Sequence, residues 1–559
     1  MGLVYACYQS AEENQTVDLS YTPLRSGHAD ISKRSKAYLY QLTCLHYLAK
    51  EDKPVNIVFV MSDTFRSDNL ACYGPAQAKT PRLDEFAEQS FLFDNAFLGS
   101  FPTIPNRLDI MSGRFSFIDH EWCPLPRETV TLQQILSASG VASQMIIDNP
   151  HMIEMGFNYE RGFDAWEWIR GQETDTWKIK PPGLVIPETS HSKRRGFIRK
   201  RYLNNTHWWK SEEDRFAART ITAACEWLEE YQDLEQFFLY LDLFDPHEPW
   251  DAPRRYIDMY DPDYSGEEFG YPDSRIWEEY FSEEEVDKYR LLYRAQTSLV
   301  DHWFGVLLDK IDELGLTEDT AVIFTSDHGY LLGEHEVIGK SIFVDTLGHT
   351  AWESVPMYDE IRRIPLLIRL PEQTEGQHIR ALVQPPDLMP TMLEMAGLVV
   401  TETFGGQTQT QALQCGVFYT EDWEFRPDGI HGQSLMPLMR GETDSHRDIA
   451  VSSNTIIHHT PLLAKTSILN EGGWCLHYCG RYDQLAPEAR MGSLKVIDPE
   501  AARLPTEPEL YHMPDDPKEA NNLIDGNERL AREIHKRYVN WLDEVGTPEE
   551  HLAGRRHLR

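Results

Sequence analysis

Residues 55–63 read Val-Asn-Ile-Val-Phe-Val-Met-Ser-Asp, a near-continuous apolar run that stops at an acid. A strand apolar at successive positions is apolar on both faces, the pattern of a strand covered by helices on each side of its sheet. Two later runs repeat it, Phe237–Leu243 and Ala321–Thr325, and each is followed within a few residues by an aspartate, Asp245 and Asp327. In an open α/β sheet the ligand crevice lies beyond the carboxyl ends of the strands, so the pattern predicts that Asp63, Asp245 and Asp327 converge there.

Around these runs, short β-branched or aromatic stretches alternate with longer amphipathic ones. That is the pattern of an α/β fold with a large mixed, mostly parallel sheet flanked by helices. Phe91–Phe97 and Pro365–Leu370 read as further strands. Arg82–Glu88, Leu132–Ser139, Glu213–Tyr231, Ser282–Leu314 and Leu388–Ala396 read as helices, and Gly315 caps the longest. Residues 1–52 form an N-terminal arm in which Tyr38, Leu42, Leu45 and Leu48 recur at helical spacing. A main domain over residues 53–444 follows, with a Thr/Gln/Gly-rich loop near 401–426. Residues 445–559 make a smaller C-terminal α+β subdomain ending in a helix over Asn527–Glu544. No internal repeat interrupts this order.

Composition narrows the class. With 559 residues, 41% hydrophobic and 26% charged, the chain can bury a sizeable core. Lys and Arg number 53 against 90 Asp and Glu, a net charge of −37 that repels nucleic acid and anionic membrane. A small anionic substrate remains compatible, because a pocket's local field can oppose the sign of the whole surface. Of the eight cysteines only Cys475 and Cys479 are close in sequence, which is neither a zinc pattern nor a disulfide framework. The first residues make a poor signal peptide, and no apolar stretch reaches the roughly 18 residues of a membrane span. The expectation is a cytoplasmic, reduced protein without a membrane partner. The N-terminal arm leaves room for a homo-oligomer.

The sharpest segment is Thr103-Ile-Pro-Asn-Arg107-Leu-Asp-Ile-Met-Ser-Gly113-Arg114. It resembles the signature of the sulfatase family of the alkaline phosphatase superfamily, with Pro105, Arg107, Gly113 and Arg114 at matching positions. Thr103 stands where sulfatases carry the cysteine or serine that is oxidised to formylglycine. Further segments resemble the family in the same order: Asn56–Asp63 its first metal strand, Phe244–Trp250 its histidine loop with His247, and Ser326–Gly329 its second metal strand. Gly333–His335 and Gly339–Lys340 resemble the stretch with its active-site lysine, and Glu509–Leu523 part of its C-terminal subdomain. Sulfatases have a second acid after the first metal aspartate; here that residue is Thr64. Asp148-Asn-Pro-His151 falls where they have a Lys-any-His pair, so His151 is a further candidate without the lysine.

The resemblance implies a hydrolase of ester bonds with one divalent metal ion, and the residue chemistry agrees. Asp63 and Asp327 offer hard oxygens, His328 a nitrogen and Thr103 a hydroxyl. Two carboxylates with an imidazole favour Mn2+ or Zn2+, with Ca2+ or Mg2+ also compatible. Thr103 is the expected nucleophile, Arg107, Lys340 and His247 the groups expected on the nonbridging oxygens, and a histidine or the lysine the proton donor to the leaving oxygen. A formylglycine hydrate expels sulfate through its second hydroxyl, which threonine lacks, whereas a phosphothreonine is opened by water attacking phosphorus. The reading is therefore a phosphodiester, phosphonate monoester or related phosphoester hydrolase. The alternatives are a sulfuric ester hydrolase using metal-activated water, and a non-catalytic homologue that keeps the metal. His302, His349, His458 and His459 carry no discriminating signal. Trp166–Trp177, with Trp168, Arg170 and Gln172, either walls the pocket or packs in the core.

Overall fold

The three runs that end near acids lie side by side. A computed structural model describes residues 54–186, 193–346, 349–371, 373–398, 402–404, 407–409, 429–457, 465–479 and 502–558. The expected N-terminal arm and most of the expected 401–426 loop lie outside the described residues. Strand β1 is Asn56–Ser62, β2 Phe91–Ala96, β3 Ser100–Phe101, β4 Ala142–Ile147, β5 Ala165–Trp168 and β6 Phe237–Leu243. They are followed by β7 at Thr320–Ser326, β8 at Leu366–Arg369 and β9 at Gln377–Val383. The large sheet has the order β9-β2-β8-β7-β1-β6-β4-β5. β1 is parallel to both β6 and β7, and only β8 runs against its neighbours.

Every residue of β1, β6 and β7 is buried. Along β1 the side chains alternate between two cores: Ile57, Phe59 and Met61 pack on one face, Val58 and Val60 on the other. This is what an unbroken apolar run buys in a strand of period two. Helices cover both faces. Helix α1, Pro81–Ala87, α2, Thr103–Ser112, and α3, Leu132–Ala138, start within one residue of turns or capping residues that the sequence marks. Phe216–Tyr231 (α4) begins later than the expected Glu213, because Ser211 and Asp214 close a separate capping turn first. The 31-residue helix α5, Glu283–Glu313, starts in a capping box between Ser282 and Glu285. Leu388–Met395 is α6. Among the described residues no helix is long and apolar enough to cross a membrane.

The C-terminal part is a second, smaller sheet. β10 Ile449–Asn454, β11 Lys465–Asn470, β12 Trp474–Cys479 and β13 Glu509–His512 form an antiparallel series, and α7, Glu528–Glu544, packs on it. Its fifth strand comes from far back in the chain: β3 pairs in parallel with β10, Ser453 opposite Ser100. The residues directly before Thr103 therefore belong to this sheet, so position 444 is a break in sequence but not in hydrogen bonding.

Glu519 fastens the small sheet to the main core. Its Oε1 lies 2.8 Å from both Arg362 Nη1 and His477 Nε2, and its Oε2 accepts the Asp359 N–H at 2.7 Å. Burial alone would raise its carboxyl, but Arg362 and His477 outweigh it and hold the group at about 2, against an ordinary 4.5. A depressed carboxyl contributes stability that is present above its unfolded value and is lost as pH falls toward its folded one. A difference of this size corresponds to about 3 kcal/mol. The chain is expected to lose stability steeply between about pH 5 and pH 2. Glu519→Gln should lower the chemical unfolding midpoint at pH 7 and flatten that acid limb, as read from denaturant titrations at stepped pH.

Candidate metal centre and active site

Helix α2 delivers the centre. Asp109 accepts the Ser100 N–H at 2.8 Å, the Ser100 hydroxyl and the Ser116 N–H at 2.7 Å, which fixes the turns before and after the helix. Gly113, at φ +68, closes it in the left-handed conformation where a side chain is disfavoured. Thr103, 2% exposed, is the first helical residue, and Arg107 lies one turn on, fully buried. Asn106 Nδ2 donates to the Asp327 carbonyl at 3.0 Å, tying the helix to the end of β7.

Arg107 gathers three acids. Its Nε and Nη2 donate to Asp242 Oδ2 and Oδ1 at 3.0 and 2.9 Å, Nη1 donates to Asp327 Oδ2, and Nη2 lies 3.1 Å from Asp63 Oδ2. Nη1 also reaches the Thr103 carbonyl at 3.3 Å. With four hydrogen bonds to protein acceptors and an ion pair to Asp63, Arg107 holds the carboxylates in place. Asp245 also departs from expectation. Its carboxylate takes Gln296 Nε2 at 2.9 Å and the Ala217 N–H at 3.3 Å, away from the centre. β6 contributes Asp242 instead, from within the strand.

The ligand atoms of Asp63, Asp327 and His328 lie within 4.8 Å of one another, all buried. Asp63 Oδ2 is buried without a hydrogen-bond partner. Burial, then repulsion by Asp327, push the Asp63 carboxyl well above the usual carboxylate range, a cost that a cation between the acids relieves. Burial also opposes the charge of Asp327, but His328, Arg107, Lys340 and the Thr64 N–H hold its carboxyl low. His328 is ready as a neutral ligand: Nδ1 lies 2.9 Å from the Gly329 carbonyl, and burial lowers the imidazole to about 3. Its Nε2 lies 3.3 Å from Lys340 Nζ. The donor set fits one divalent cation.

A second cluster, Cys475, His477 and Glu519, does not. Arg362 already neutralises Glu519, and both His477 nitrogens are engaged, Nδ1 with Ser467 Oγ at 2.6 Å.

Thr64 is shaped by the centre. Its φ of +63 is an outlier for a β-branched residue, a strain of roughly 1–3 kcal/mol. Its hydroxyl donates to Asp63 Oδ1 at 2.7 Å, its N–H to Asp327 Oδ1 at 2.9 Å, and its carbonyl accepts the Tyr293 hydroxyl at 2.8 Å. A neighbouring cavity of about 1300 Å³, lined among others by Arg66, Tyr293 and Glu334, includes none of the candidate ligands or catalytic residues. Its Arg66 is already paired with Asp68 and Glu334.

A row of rings runs from the centre outward. His247 stacks on Phe244 at 4.1 Å, its Nδ1 lies 2.6 Å from the Glu248 carbonyl, and burial lowers it to about 4. Phe244 meets the edge of His151, and His151 meets Trp122, which is 40% exposed. His151 Nε2 lies 3.1 Å from Glu173 Oε2, and Tyr271 donates to Glu173 Oε1 at 2.9 Å. The Trp166–Trp177 stretch thus reaches the site through Glu173, while Trp168 stacks under Arg170. Asp242, Glu173 and Tyr271 were not singled out from the sequence. Asp242 alone left a signal, as an acid inside an otherwise apolar strand.

Residues 55–398 match the sulfatase family, and the chain belongs to it. It is 26% identical over 381 residues to the ulvan-active sulfatase of Formosa agariphila, covering 65% of this chain and 66% of that protein, so the chain spans just under two thirds of that relative. It is 23% identical over 445 residues to the N-acetylglucosamine-6-O-sulfatase of Bacteroides thetaiotaomicron, covering 69% and 76%. Among solved structures it resembles the phosphonate monoester hydrolase of Agrobacterium radiobacter, with a TM-score of 0.59 at 18% identity over 88% of this chain and 96% of that one. Members of that family usually bind a divalent metal.

Removing Asp242 leaves two buried guanidinium donors of Arg107 without acceptors while its pairs with Asp63 and Asp327 remain, a cost of roughly 1–3 kcal/mol. Asp242→Ala is expected to destabilise the protein by that amount in chemical unfolding, and Asp242→Asn, which keeps the shape and one acceptor, by distinctly less.

Proposed function

We propose that the chain hydrolyses a singly charged phosphoester, a phosphodiester or phosphonate monoester, through Thr103. The observation that carries this reading is the placement of a threonine, which cannot become formylglycine, at the head of the helix whose Arg107 binds the candidate metal acids. A sulfated threonine has no second hydroxyl to expel sulfate. A phosphorylated one is opened by water at phosphorus.

In this reading Asp63, Asp327 and His328 hold the cation, with the Thr103 hydroxyl as a further donor. When bound, the ion supplies Lewis acidity and positive charge for an anionic ester. Thr103 Oγ forms a bond to phosphorus as the bond to the leaving oxygen breaks, and water later displaces Oγ. Lys340 binds a nonbridging oxygen and donates a proton to the leaving oxygen. His247 is neutral at pH 7; its Nδ1–H is committed to the Glu248 carbonyl, which leaves Nε2 as a proton acceptor. His151, paired with Glu173, lies farther out and faces the organic part of the substrate. The Glu173 carboxylate disfavours a dianion, which supports a diester or phosphonate over a phosphomonoester. Mn2+ or Zn2+ suits two carboxylates and an imidazole best. The five described cysteines are free, which supports a cytoplasmic location.

A second reading, sulfate ester hydrolysis by metal-activated water, is favoured by the sulfatases among the relatives. The two separate in one assay. Mn2+- or Zn2+-loaded protein and its Thr103→Ala variant are compared on aryl phosphodiester, phosphonate and sulfate esters. Phosphodiester or phosphonate turnover that falls by at least about a thousandfold in the variant supports the nucleophile. Sulfate release that survives the substitution restores the sulfatase reading, and silence on every ester points to a homologue that binds without turnover.

A further inference from the structure

Thr64 makes no use of its side chain outside the centre, yet it occupies a backbone conformation that β-branched residues avoid. Such strain persists only where surrounding bonds over-determine it, and here the bonds are visible. The hydroxyl satisfies Asp63 Oδ1, and the N–H satisfies Asp327 Oδ1, which also accepts the His328 N–H at 2.8 Å. Tyr293 pins the carbonyl and takes the Arg66 N–H at 3.1 Å, so the left-handed turn is held from both sides. The result divides the Asp63 carboxylate: Oδ1 takes the Thr64 hydroxyl, whereas Oδ2 is buried without a hydrogen bond, 3.1 Å from Arg107 Nη2. Both oxygens of Asp327 accept hydrogen bonds, Oδ2 from Arg107 Nη1, and Oδ2 lies 3.5 Å from His328 Nε2.

We infer that Thr64 is a positioning residue that sets metal selectivity: its hydroxyl occupies Asp63 Oδ1 and leaves Oδ2, which carries no hydrogen bond, to the ion, so Asp63 binds through a single oxygen. This rests on the proposed metal site. Large Ca2+ gathers six to eight oxygens and gains from bidentate carboxylates, while smaller ions need fewer donors. Locking Asp63 in one-oxygen binding therefore favours Mn2+ over Ca2+. Without the hydroxyl, Asp63 is free to turn and chelate through both oxygens.

The test is calorimetric titration of chelator-treated, full-length protein with Mn2+ and with Ca2+, for the unaltered chain and for Thr64→Ser, Thr64→Val and Thr64→Gly. Thermal melts confirm folding of each. Thr64→Ser should match the unaltered chain. Thr64→Val should lose about tenfold or more in Mn2+ affinity, as is typical when a group that orients a ligand is removed. The Mn2+/Ca2+ preference should narrow at the same time, which a general loosening of the site would not produce. Thr64→Gly relieves the strain but lacks the hydroxyl, so it should follow Val, and it decides the matter if the Val variant does not fold. Equal Mn2+ affinity and equal preference in the hydroxyl-free variants overturn the role of Thr64 alone. Absence of Mn2+ binding by the unaltered protein overturns the metal site itself.

Discussion

The structure depends on one buried guanidinium. Arg107 comes from a helix, and the carboxylates around it come from strands β6 and from the ends of β1 and β7. Three acids so close in a dry interior repel one another, and each charge is disfavoured by burial. A single cation among them lowers that cost. It also fixes the helix relative to the sheet, and with it Thr103, one turn away. Because Arg107 is engaged on every side, the centre keeps its geometry as a unit.

That unit is reinforced from the second sheet. Ser100 and Phe101 pair with Ser453 and Asn454, so the approach to Thr103 is fixed by residues some 350 positions later in the chain. The Phe101 ring, 4.9 Å from that of His328, packs against the centre from the same strand. Glu519, with Arg362 and His477, secures the two sheets to each other. A small sheet added to a large one thus serves the site by bracing the peptide that presents the nucleophile candidate.

The site is graded in polarity. At its inner end acids dominate, with neutral imidazoles that burial keeps uncharged. Farther out, His247, Phe244, His151 and Trp122 form an aromatic row that ends in an exposed indole. The charge-binding groups thus lie at one end of the site and the rings at the other.

The strands were legible because residues buried on both faces must be apolar at every position, and a run such as Ile57–Met61 has no other economical reading. The long helix Glu283–Glu313 was legible through its capping residues, Ser282 and Glu285. Asp63, Thr103, Arg107, Asp327 and His328 stood out from the order of short segments that resemble the sulfatase family, whose match covers residues 55–398. Which acid of β6 serves the centre did not follow: Asp245 lies in the expected place beyond the strand, but the turn directs it to Gln296, whereas Asp242 faces inward from within it. The strain at Thr64, the pairing of His151 with Glu173 and the borrowing of Ser100–Phe101 by the small sheet also escaped, because each joins residues far apart in sequence. Sequence alone determined the periodicity and the residue types available for chemistry. Tertiary structure decided which polar atoms meet, since a hydrogen bond or ion pair depends on orientation and distance that no local pattern records.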